Sequence, residues 1–190
     1  MKYIKDEEFI RGNCPMTKEE VRILSVAKLN LEENSKLLDV GAGTGSISIQ
    51  GSKICTSGSV VAIERDEEAL KVIYKNKDKF NCDNLEVIEG EALEALEALD
   101  SIKEKFNSIF IGGSGGNLEK IIEKCHNLLE DDGVMVLNFI TIDNVYKAMS
   151  TLKELNMKIS CTQVGVSKTR GQSYMLFGYN PIFIVEAYKN

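Results

Sequence analysis

Short apolar runs alternate with longer helical patterns along most of this chain of 190 residues, and this alternation constrains the fold more than any other feature. The runs are rich in β-branched residues and stay apolar at consecutive positions, which is typical of strands buried on both faces of a parallel sheet. The predicted strands are Lys36–Val40, Ser59–Glu64, Leu85–Glu89, Ser108–Ile111 and Val134–Phe139, and the predicted helices are Ser46–Cys55, Glu67–Lys77, Ala92–Leu99, Leu118–Leu129 and Asp143–Leu155. The pattern predicts an α/β fold with a Rossmann-like, mostly parallel sheet and helices on both faces.

Both ends of the chain depart from this alternation. Lys158–Val166 and Pro181–Lys189 have strand patterns with no helix between them, so we expect an antiparallel C-terminal strand pair. Near the start, Thr17 and Glu20 have the spacing of a capping box, in which the Thr17 hydroxyl caps the helix that follows. No linker or repeat interrupts the chain. We therefore predict a single domain over residues 1–190, in which the N-terminal segment and helix (1–35) cover the ligand site.

The turn after the first predicted strand contains three glycines, Gly41, Gly43 and Gly45, and leads directly into a helix. Glycines there let the backbone turn tightly and approach a ligand, while the helix N-terminus presents free N–H groups. The dinucleotide fingerprint G-x-G-x-x-G would need its third glycine at Ser46. The observed spacing, with Asp39 in front, resembles instead the D/E-x-G-x-G-x-G motif of class I S-adenosylmethionine-dependent methyltransferases.

Carboxylates follow the second and third predicted strands. Glu64 lies 21 residues after Gly43, where an acid at the end of the second strand can hydrogen bond to both hydroxyls of a ribose. A surface acid beside Arg65 is the alternative interpretation of Glu64. Glu91 and Ala92 follow the third strand, at the position that contacts adenine in the methyltransferases that this chain resembles. Together with the glycine turn, these residues predict S-adenosylmethionine, not NAD, as the cofactor.

The fourth predicted strand leads into a glycine-rich loop, 112–117 (GGSGGN), which would give a bulky acceptor access to the strand end. The D/N-P-P-Y/F motif of base amino-methylases is absent from this position, so the acceptor is not expected to be an exocyclic amine of a base. Ligands in open α/β sheets bind outside the carboxyl ends of the strands. Acceptor contacts are therefore predicted at Gly113, Ser114 and Asn138, the last of which lies on the fifth strand.

Nearly the whole chain resembles one methyltransferase family, the decarboxylating cobalt-precorrin-6B (C15)-methyltransferases of anaerobic cobalamin biosynthesis. The matching stretches are Pro15–Arg22, Asp39–Gly45, Ile111–Leu118 and Asn180–Ile184. Glu64 and Glu91 depart from the family pattern, because many relatives have Asp at these positions. Either carboxylate could serve there, with a longer reach for Glu.

The resemblance implies methyl transfer to C15 of a tetrapyrrole, loss of carbon dioxide from its C12 acetate, and a homotetramer. An electron-rich tetrapyrrole can be its own nucleophile, so the task of the protein is positioning and exclusion of water, and no catalytic acid or base is assigned. His126, the single histidine, lies within a predicted helix away from the strand ends. The cofactor-binding residues that the resemblance implies are Thr17, Gly41, Ala42, Gly43, Thr44, Gly45, Glu64, Glu91 and Ala92.

Charge is unevenly distributed along the chain. The 23 basic and 29 acidic residues give a net charge of −6, which argues against a nucleic-acid partner. Residues 134–190 nevertheless carry six basic and three acidic residues. Lys168 and Arg170 lie on the loop between the last two predicted strands, and we expect them to bind carboxylates of an anionic tetrapyrrole; a solvated hairpin tip is the alternative.

Two other functions stay open at this point. A tRNA adenine-N1 methyltransferase shares the cofactor motifs, although the acidic net charge argues against it. A non-catalytic S-adenosylmethionine-binding subunit is the other alternative, and the open glycine loop counts against it. Methyl transfer to a tetrapyrrole or to tRNA would separate them.

The cysteines and the apolar runs bear on location. No two of the five cysteines lie closer than 27 residues, so they form no zinc framework, and no metal site is predicted. Scattered thiols in odd number fit a reducing compartment. No run approaches the roughly 20 apolar residues of a membrane span, and the N-terminus lacks an apolar stretch of signal-peptide length. We therefore expect a cytoplasmic protein with no membrane partner.

Overall fold

The structure, a computed structural model, describes residues 3–113, 116–170 and 174–189. Its helices are α1 (Glu19–Lys28), α2 (Ser46–Ser52), α3 (Glu67–Lys79), α4 (Ala92–Ser101), α5 (Leu118–Leu128) and α6 (Ile142–Glu154). Its strands are β1 (Lys36–Val40), β2 (Ser59–Glu64), β3 (Leu85–Glu89), β4 (Phe106–Ile111), β5 (Leu129–Phe139), β6 (Lys158–Val164), β7 (Ser167–Arg170), β8 (Met175–Gly178) and β9 (Ile182–Tyr188). A short 3-10 helix, Asp6–Glu8, precedes α1.

Seven strands form one sheet in the order β3-β2-β1-β4-β5-β9-β6. The first five run parallel, and β9 lies between β5 and β6 and runs antiparallel to both. The predicted fold class, a Rossmann-like sheet of the class I methyltransferase type, is confirmed. The chain crosses the sheet between β3 and β4, so the strand order reverses between β1 and β4. Such a switch point opens a crevice at the carboxyl ends of the strands.

The core has two layers, one on each face of the sheet. Neighbouring residues on β1 point to opposite faces: Leu38 belongs to the layer under α4, α5 and α6, and Leu37 to the layer under α1, α2 and α3. Both side chains are fully buried. Burial on both faces explains why the strands are apolar at consecutive positions and not at alternate ones. In the ranges that the structure covers, no helix combines the length and apolarity needed to cross a membrane.

Several predicted boundaries are wrong; β4, for example, begins at Phe106 and not at Ser108. Helix α1 begins at Glu19 with Lys18 at its N-cap and no side-chain cap, so Thr17 does not cap the helix. Helix α2 ends at Ser52, before the predicted Cys55, because Ile54 and Cys55 both donate to the Gly51 carbonyl in a tightened last turn. Strand β5 begins at Leu129, which pairs with Phe106 before the register shifts. These errors leave the order of the elements unchanged.

The segment between β6 and β9 is not the plain loop that the sequence predicted. Strands β7 and β8 form a separate two-stranded antiparallel ribbon. The Tyr179 N–H donates to the Val166 carbonyl (2.9 Å) and closes the base of the ribbon. Every residue of β8 is exposed, so its sequence lacks the alternation of apolar and polar residues that marks a half-buried strand. The ribbon was missed for that reason.

Candidate active site

A cavity of about 1020 Å³ opens at the carboxyl ends of β1, β2, β4 and β5, at the switch point of the sheet. Most residues predicted from the sequence line it: Thr17, Gly41, Ala42, Gly43, Thr44, Glu64, Glu91, Ala92, Gly113 and Asn138. Gly45 and Lys168 are not part of its wall. Ser114 and the side chain of Arg170 lie outside the described residues. The volume lies just above the range of ordinary small-molecule sites, roughly 300–1000 Å³.

The glycine turn is shaped by close packing on both sides. Gly41, Gly43 and Gly45 have φ angles of +73°, +58° and +75°, a region that favours glycine. A Cβ on Gly41 would lie 2.9 Å from the backbone of Gly113, so the turns after β1 and β4 touch. A Cβ on Gly45 would lie 2.5 Å from the Ile73 side chain on α3. The missing side chain of Gly45 therefore lets α3 pack closely against the turn.

Glu64 is held by backbone donors from two loops. Its Oε2 accepts from the Gly43 N–H at 2.7 Å, and its Oε1 accepts from the N–H groups of Arg65 and Asp66 at 2.8 and 2.9 Å. The side chain is buried beside the cavity. A carboxylate has about four acceptor positions, so these bonds leave one position on Oε2 for a ligand. Glu64 thus fixes the glycine turn, in addition to facing the site.

Two buried polar atoms at the glycine turn have no partner among the described residues. Asp39 is buried, and the Ser48 N–H and hydroxyl both donate to its Oδ2. Its Oδ1 and the Thr44 hydroxyl make no hydrogen bond, although both residues line the cavity. Burial raises the pKa of Asp39 to about 7, against the lowering effect of the Ser48 hydrogen bonds. Unpartnered buried polar atoms are rare in folded proteins, and both of these atoms belong to residues that line the cavity.

The N-terminal segment covers one side of the cavity. Residues 13–18 contribute to its wall, and the Pro15 carbonyl would lie 3.3 Å from a Cβ on Gly43. Asn76 on α3 joins this segment to the glycine turn, because its side chain exchanges two hydrogen bonds with Ile10 and donates to the Thr44 carbonyl at 3.0 Å. Asn76 is fully buried. The backbone around the glycines is therefore fixed from outside the turn.

Arg22 on α1 anchors both ends of the same segment. Its guanidinium donates to the carbonyls of Ile4 (2.6 Å) and Thr17 (2.8 Å) and to the Asp6 carboxylate (3.1 Å). It is fully buried and lies 4.7 Å from the centre of the Phe9 ring. One side chain thus ties the beginning and the end of the covering segment to the first helix.

The third predicted motif lies at the rim of the cavity. Glu91 lines it together with Gly90 and Ala92, and its carboxylate accepts from Arg65 at 2.9 and 3.1 Å. Both side chains of this ion pair are 53% exposed. Exposed pairs of this kind contribute little to stability. The pair therefore lies at the rim without contributing much to the stability of the fold.

The far end of the cavity is formed by α1, the end of β5 and the turn before β9. Asn138 exchanges hydrogen bonds with Ser25 on α1, with atoms 2.8 and 3.2 Å apart. Lys18 and Tyr179 both line this end, and the Lys18 Nζ lies 5.9 Å from the centre of the Tyr179 ring. Lys168 instead forms an ion pair with Glu20 at 2.8 Å. Among the described residues, no group of three His, Cys, Asp or Glu side chains could hold a metal ion.

Sequence reasoning missed four residues of this site: Lys18, Arg22, Asn76 and Tyr179. Lys18 and Arg22 lie in the Pro15–Arg22 stretch, whose resemblance to a family was noted without assigning them a role. Asn76 carries a weak signal, since a polar residue occupies an apolar position of an amphipathic helix. No sequence pattern points to Tyr179, because the ribbon before it was not predicted.

Comparisons with known proteins agree with this geometry. The family model described as "Precorrin methyltransferase domain" matches residues 8–189. A "Probable cobalt-precorrin-6B C(15)-methyltransferase (decarboxylating)" of Sulfolobus acidocaldarius is 42% identical, covering 96% of this chain and 95% of the relative. The "Cobalt-precorrin-6B C(15)-methyltransferase (decarboxylating)" of Salmonella typhimurium is 37% identical, with coverages of 98% and 96%.

A solved structure shows the same fold along the whole chain. The crystal structure of the precorrin-6y C5,15-methyltransferase from Geobacter metallireducens superposes with a TM-score of 0.92 at 36% identity, covering 99% of this chain and 96% of the other. The resemblance inferred from the sequence is thereby confirmed. The chain belongs to the precorrin methyltransferase family.

Proposed function

We propose that this chain is an S-adenosylmethionine-dependent C-methyltransferase that methylates C15 of cobalt-precorrin-6B with decarboxylation of the C12 acetate, in anaerobic cobalamin biosynthesis. The observation that carries the proposal is the cavity at the switch point, in a chain whose relatives bear this activity in their names. The family match favours this function over a tRNA adenine-N1 methyltransferase.

The residues at the glycine turn fit S-adenosylmethionine. The free Asp39 Oδ1 and Thr44 hydroxyl suit the ammonium and carboxylate of an amino-acid moiety. The remaining acceptor position of Glu64 suits a ribose hydroxyl, and the wall at Gly90–Ala92 suits adenine. Bound there, S-adenosylmethionine supplies an electrophilic methyl group on a sulfonium. Thr17, on the covering segment, would close over it.

The protein's own part in the reaction is positioning and exclusion of water. The covering segment, anchored by Arg22 and Asn76, separates the glycine turn from solvent. At the far end of the cavity, the titratable side chains among the described residues are Lys18 and Tyr179. Within that described part, no carboxylate or histidine stands there to act as a strong base, so the acceptor carbon must itself be nucleophilic. An electron-rich tetrapyrrole meets this requirement, and Gly113 and Asn138 would border it.

We also propose that the chain works as a homo-oligomer, a tetramer as in the family that the sequence resembles. The ribbon supports this, because Tyr174, Met175, Leu176 and Phe177 are between 41% and 77% exposed. Four consecutive exposed apolar residues on a hairpin outside the main sheet are costly in a monomer. Burial against the same ribbon of other copies would remove this cost.

The function is tested by incubating the purified protein with cobalt-precorrin-6B and methyl-labelled S-adenosylmethionine under anaerobic conditions, with a tRNA transcript as a parallel acceptor. We expect one labelled methyl in the tetrapyrrole for each carbon dioxide released, and none in tRNA. Methylation of tRNA alone would overturn the proposal in favour of the first alternative. Cofactor binding without transfer to either acceptor would favour a non-catalytic subunit.

A further inference from the structure

The far end of the cavity holds a cation that no described acid neutralises. Two of the described residues along the cavity wall are basic, Lys18 and Arg65. Arg65 is engaged by Glu91 at the cofactor end. Lys18 forms no ion pair with any described residue, and its contact is with the face of the Tyr179 ring. A cation that contacts the face of an aromatic ring keeps its charge, and the side of the cation away from the ring stays available to an anion.

Lys18 is also a poor residue for its local structure. It occupies the N-cap of α1, where Ser, Thr, Asp or Asn would accept a hydrogen bond from the first turn, and it makes no such bond. A cation at a helix N-terminus is further disfavoured by the helix dipole. The residue is therefore unfavourable for the helix in two ways. A role in binding explains its presence better than a role in folding.

The two acids that follow Lys18 in the sequence both have other partners. Glu19 accepts from the Asp6 N–H at 3.2 Å. Glu20, two residues along the chain from Lys18, pairs with Lys168 from the ribbon at 2.8 Å. Removing Lys168 would leave the Glu20 carboxylate without this partner, two residues from Lys18 along the chain. Lys168 can therefore affect the acceptor end of the cavity through Glu20, although Lys168 itself does not line the cavity wall.

We propose that Lys18 binds a carboxylate of the acceptor, and that Lys168 is a positioning residue that keeps Glu20 from neutralising Lys18. This rests on the proposed function, because the anion is a side-chain carboxylate of the tetrapyrrole. It replaces the expectation that Lys168 itself contacts the acceptor.

The first test measures KM for cobalt-precorrin-6B and the affinity for S-adenosylhomocysteine in Lys18→Ala, Lys18→Gln and Lys18→Arg. We expect KM to rise about 10-fold or more in the first two, since a hydrogen bond between charged groups is lost, with partial recovery in the third. Cofactor affinity should stay within about twofold of the wild-type value. Salt should raise KM in the wild type more than in Lys18→Ala, because screening acts on the charge pair.

Lys36→Ala is the matched control. Lys36 begins β1, at the end of the strand away from the cavity, and pairs with Glu104 at 2.7 Å, so its removal lowers the net charge equally without touching the cavity. KM should not change in this variant. If the wild type is active and KM is unchanged in both Lys18→Ala and Lys18→Gln, the inference is overturned while the proposed function stands. A wild type without activity overturns the proposed function itself.

The second test separates a direct from an indirect role of Lys168. Lys168→Ala should raise KM less than Lys18→Ala does, and adding Glu20→Gln in the same chain should return KM to near the wild-type value. The reason is that the double variant no longer has the Glu20 carboxylate to neutralise Lys18. A direct contact between Lys168 and the acceptor predicts a raised KM in the double variant as well, and that result would overturn the indirect role.

Discussion

Replacing Glu64 by Gln tests how the glycine turn and the ligand depend on one carboxylate. The amide of the introduced glutamine can keep one oxygen toward Arg65 and Asp66, but its NH2 group then faces the Gly43 N–H, which in the native protein donates to Oε2 at 2.7 Å. Two donors cannot bond to each other. The variant loses one charge-assisted hydrogen bond and leaves a buried N–H without an acceptor.

The magnitudes follow from these contacts. Loss of a hydrogen bond to a charged group costs roughly 1.5–3 kcal/mol, which corresponds to about 10- to 140-fold in affinity. We expect this loss in S-adenosylhomocysteine affinity by titration calorimetry. Because the same oxygen holds Gly43, the free energy of unfolding of the ligand-free protein should also fall, by about 1–3 kcal/mol in urea titrations.

Glu67→Gln is the control for this experiment. Glu67 is an exposed acid in the first turn of α3 and does not line the cavity, so its replacement removes the same charge without the same contacts. Both measurements should stay close to wild type in that variant. Two outcomes for Glu64→Gln would refute the reasoning. A stable variant with unchanged affinity would make Glu64 a surface acid, and a destabilised variant with unchanged affinity would make it purely structural.

Two further predictions concern Asp39 and the ribbon. Burial raises the pKa of Asp39 to about 7, and a ligand ammonium beside it favours the ionised form. The affinity for S-adenosylhomocysteine should therefore rise with pH from about 6 to 7.5 in calorimetric titrations. Asp39→Asn should abolish this pH dependence. The free energy of unfolding of the ligand-free protein should fall as pH rises from about 4 toward 7. In this range the Asp39 carboxyl is ionised in the unfolded state and still protonated in the native state. Leu176→Lys should reduce the mass in sedimentation experiments to the 21.1 kDa of one chain, and an unchanged assembly would exclude the ribbon as its interface.

The central sheet was predictable because one physical cause dominates it. Strands such as β1 and β2 are buried on both faces, so each is a short, mostly apolar run, and their predicted and observed bounds coincide. The ribbon has no such burial to mark it in the sequence. The residues of β8 are exposed, and what makes them a strand is pairing with β7, which no local pattern reports.

The end of the cavity at the glycine turn was easier to predict than the end at α1 and β5, for a similar reason. Its residues follow buried strands directly, and the carboxyl ends of parallel strands meet at one edge. The other end depends instead on contacts between distant segments, such as Lys18 with Tyr179. The count of charged residues indicated that cations for binding an anionic acceptor would come from the C-terminal third of the chain. It could not show that Lys168 is already paired with Glu20, because that pair joins residues far apart in the sequence.

One face of α1 connects the two ends of the cavity. Lys18, Arg22 and Ser25 recur at helical spacing: the first lines the acceptor end, the second anchors the segment over the glycine turn, and the third bonds Asn138 at the end of β5. A shift of this helix would therefore move the segment over the glycine turn and the opposite wall of the cavity together. A substitution at Arg22 that raises the KM for the acceptor cannot be taken as loss of a direct contact, since its guanidinium is fully buried beneath the N-terminal segment. Lys18 differs from Arg22 in this respect, because its side chain lines the cavity and its replacement leaves the anchor in place.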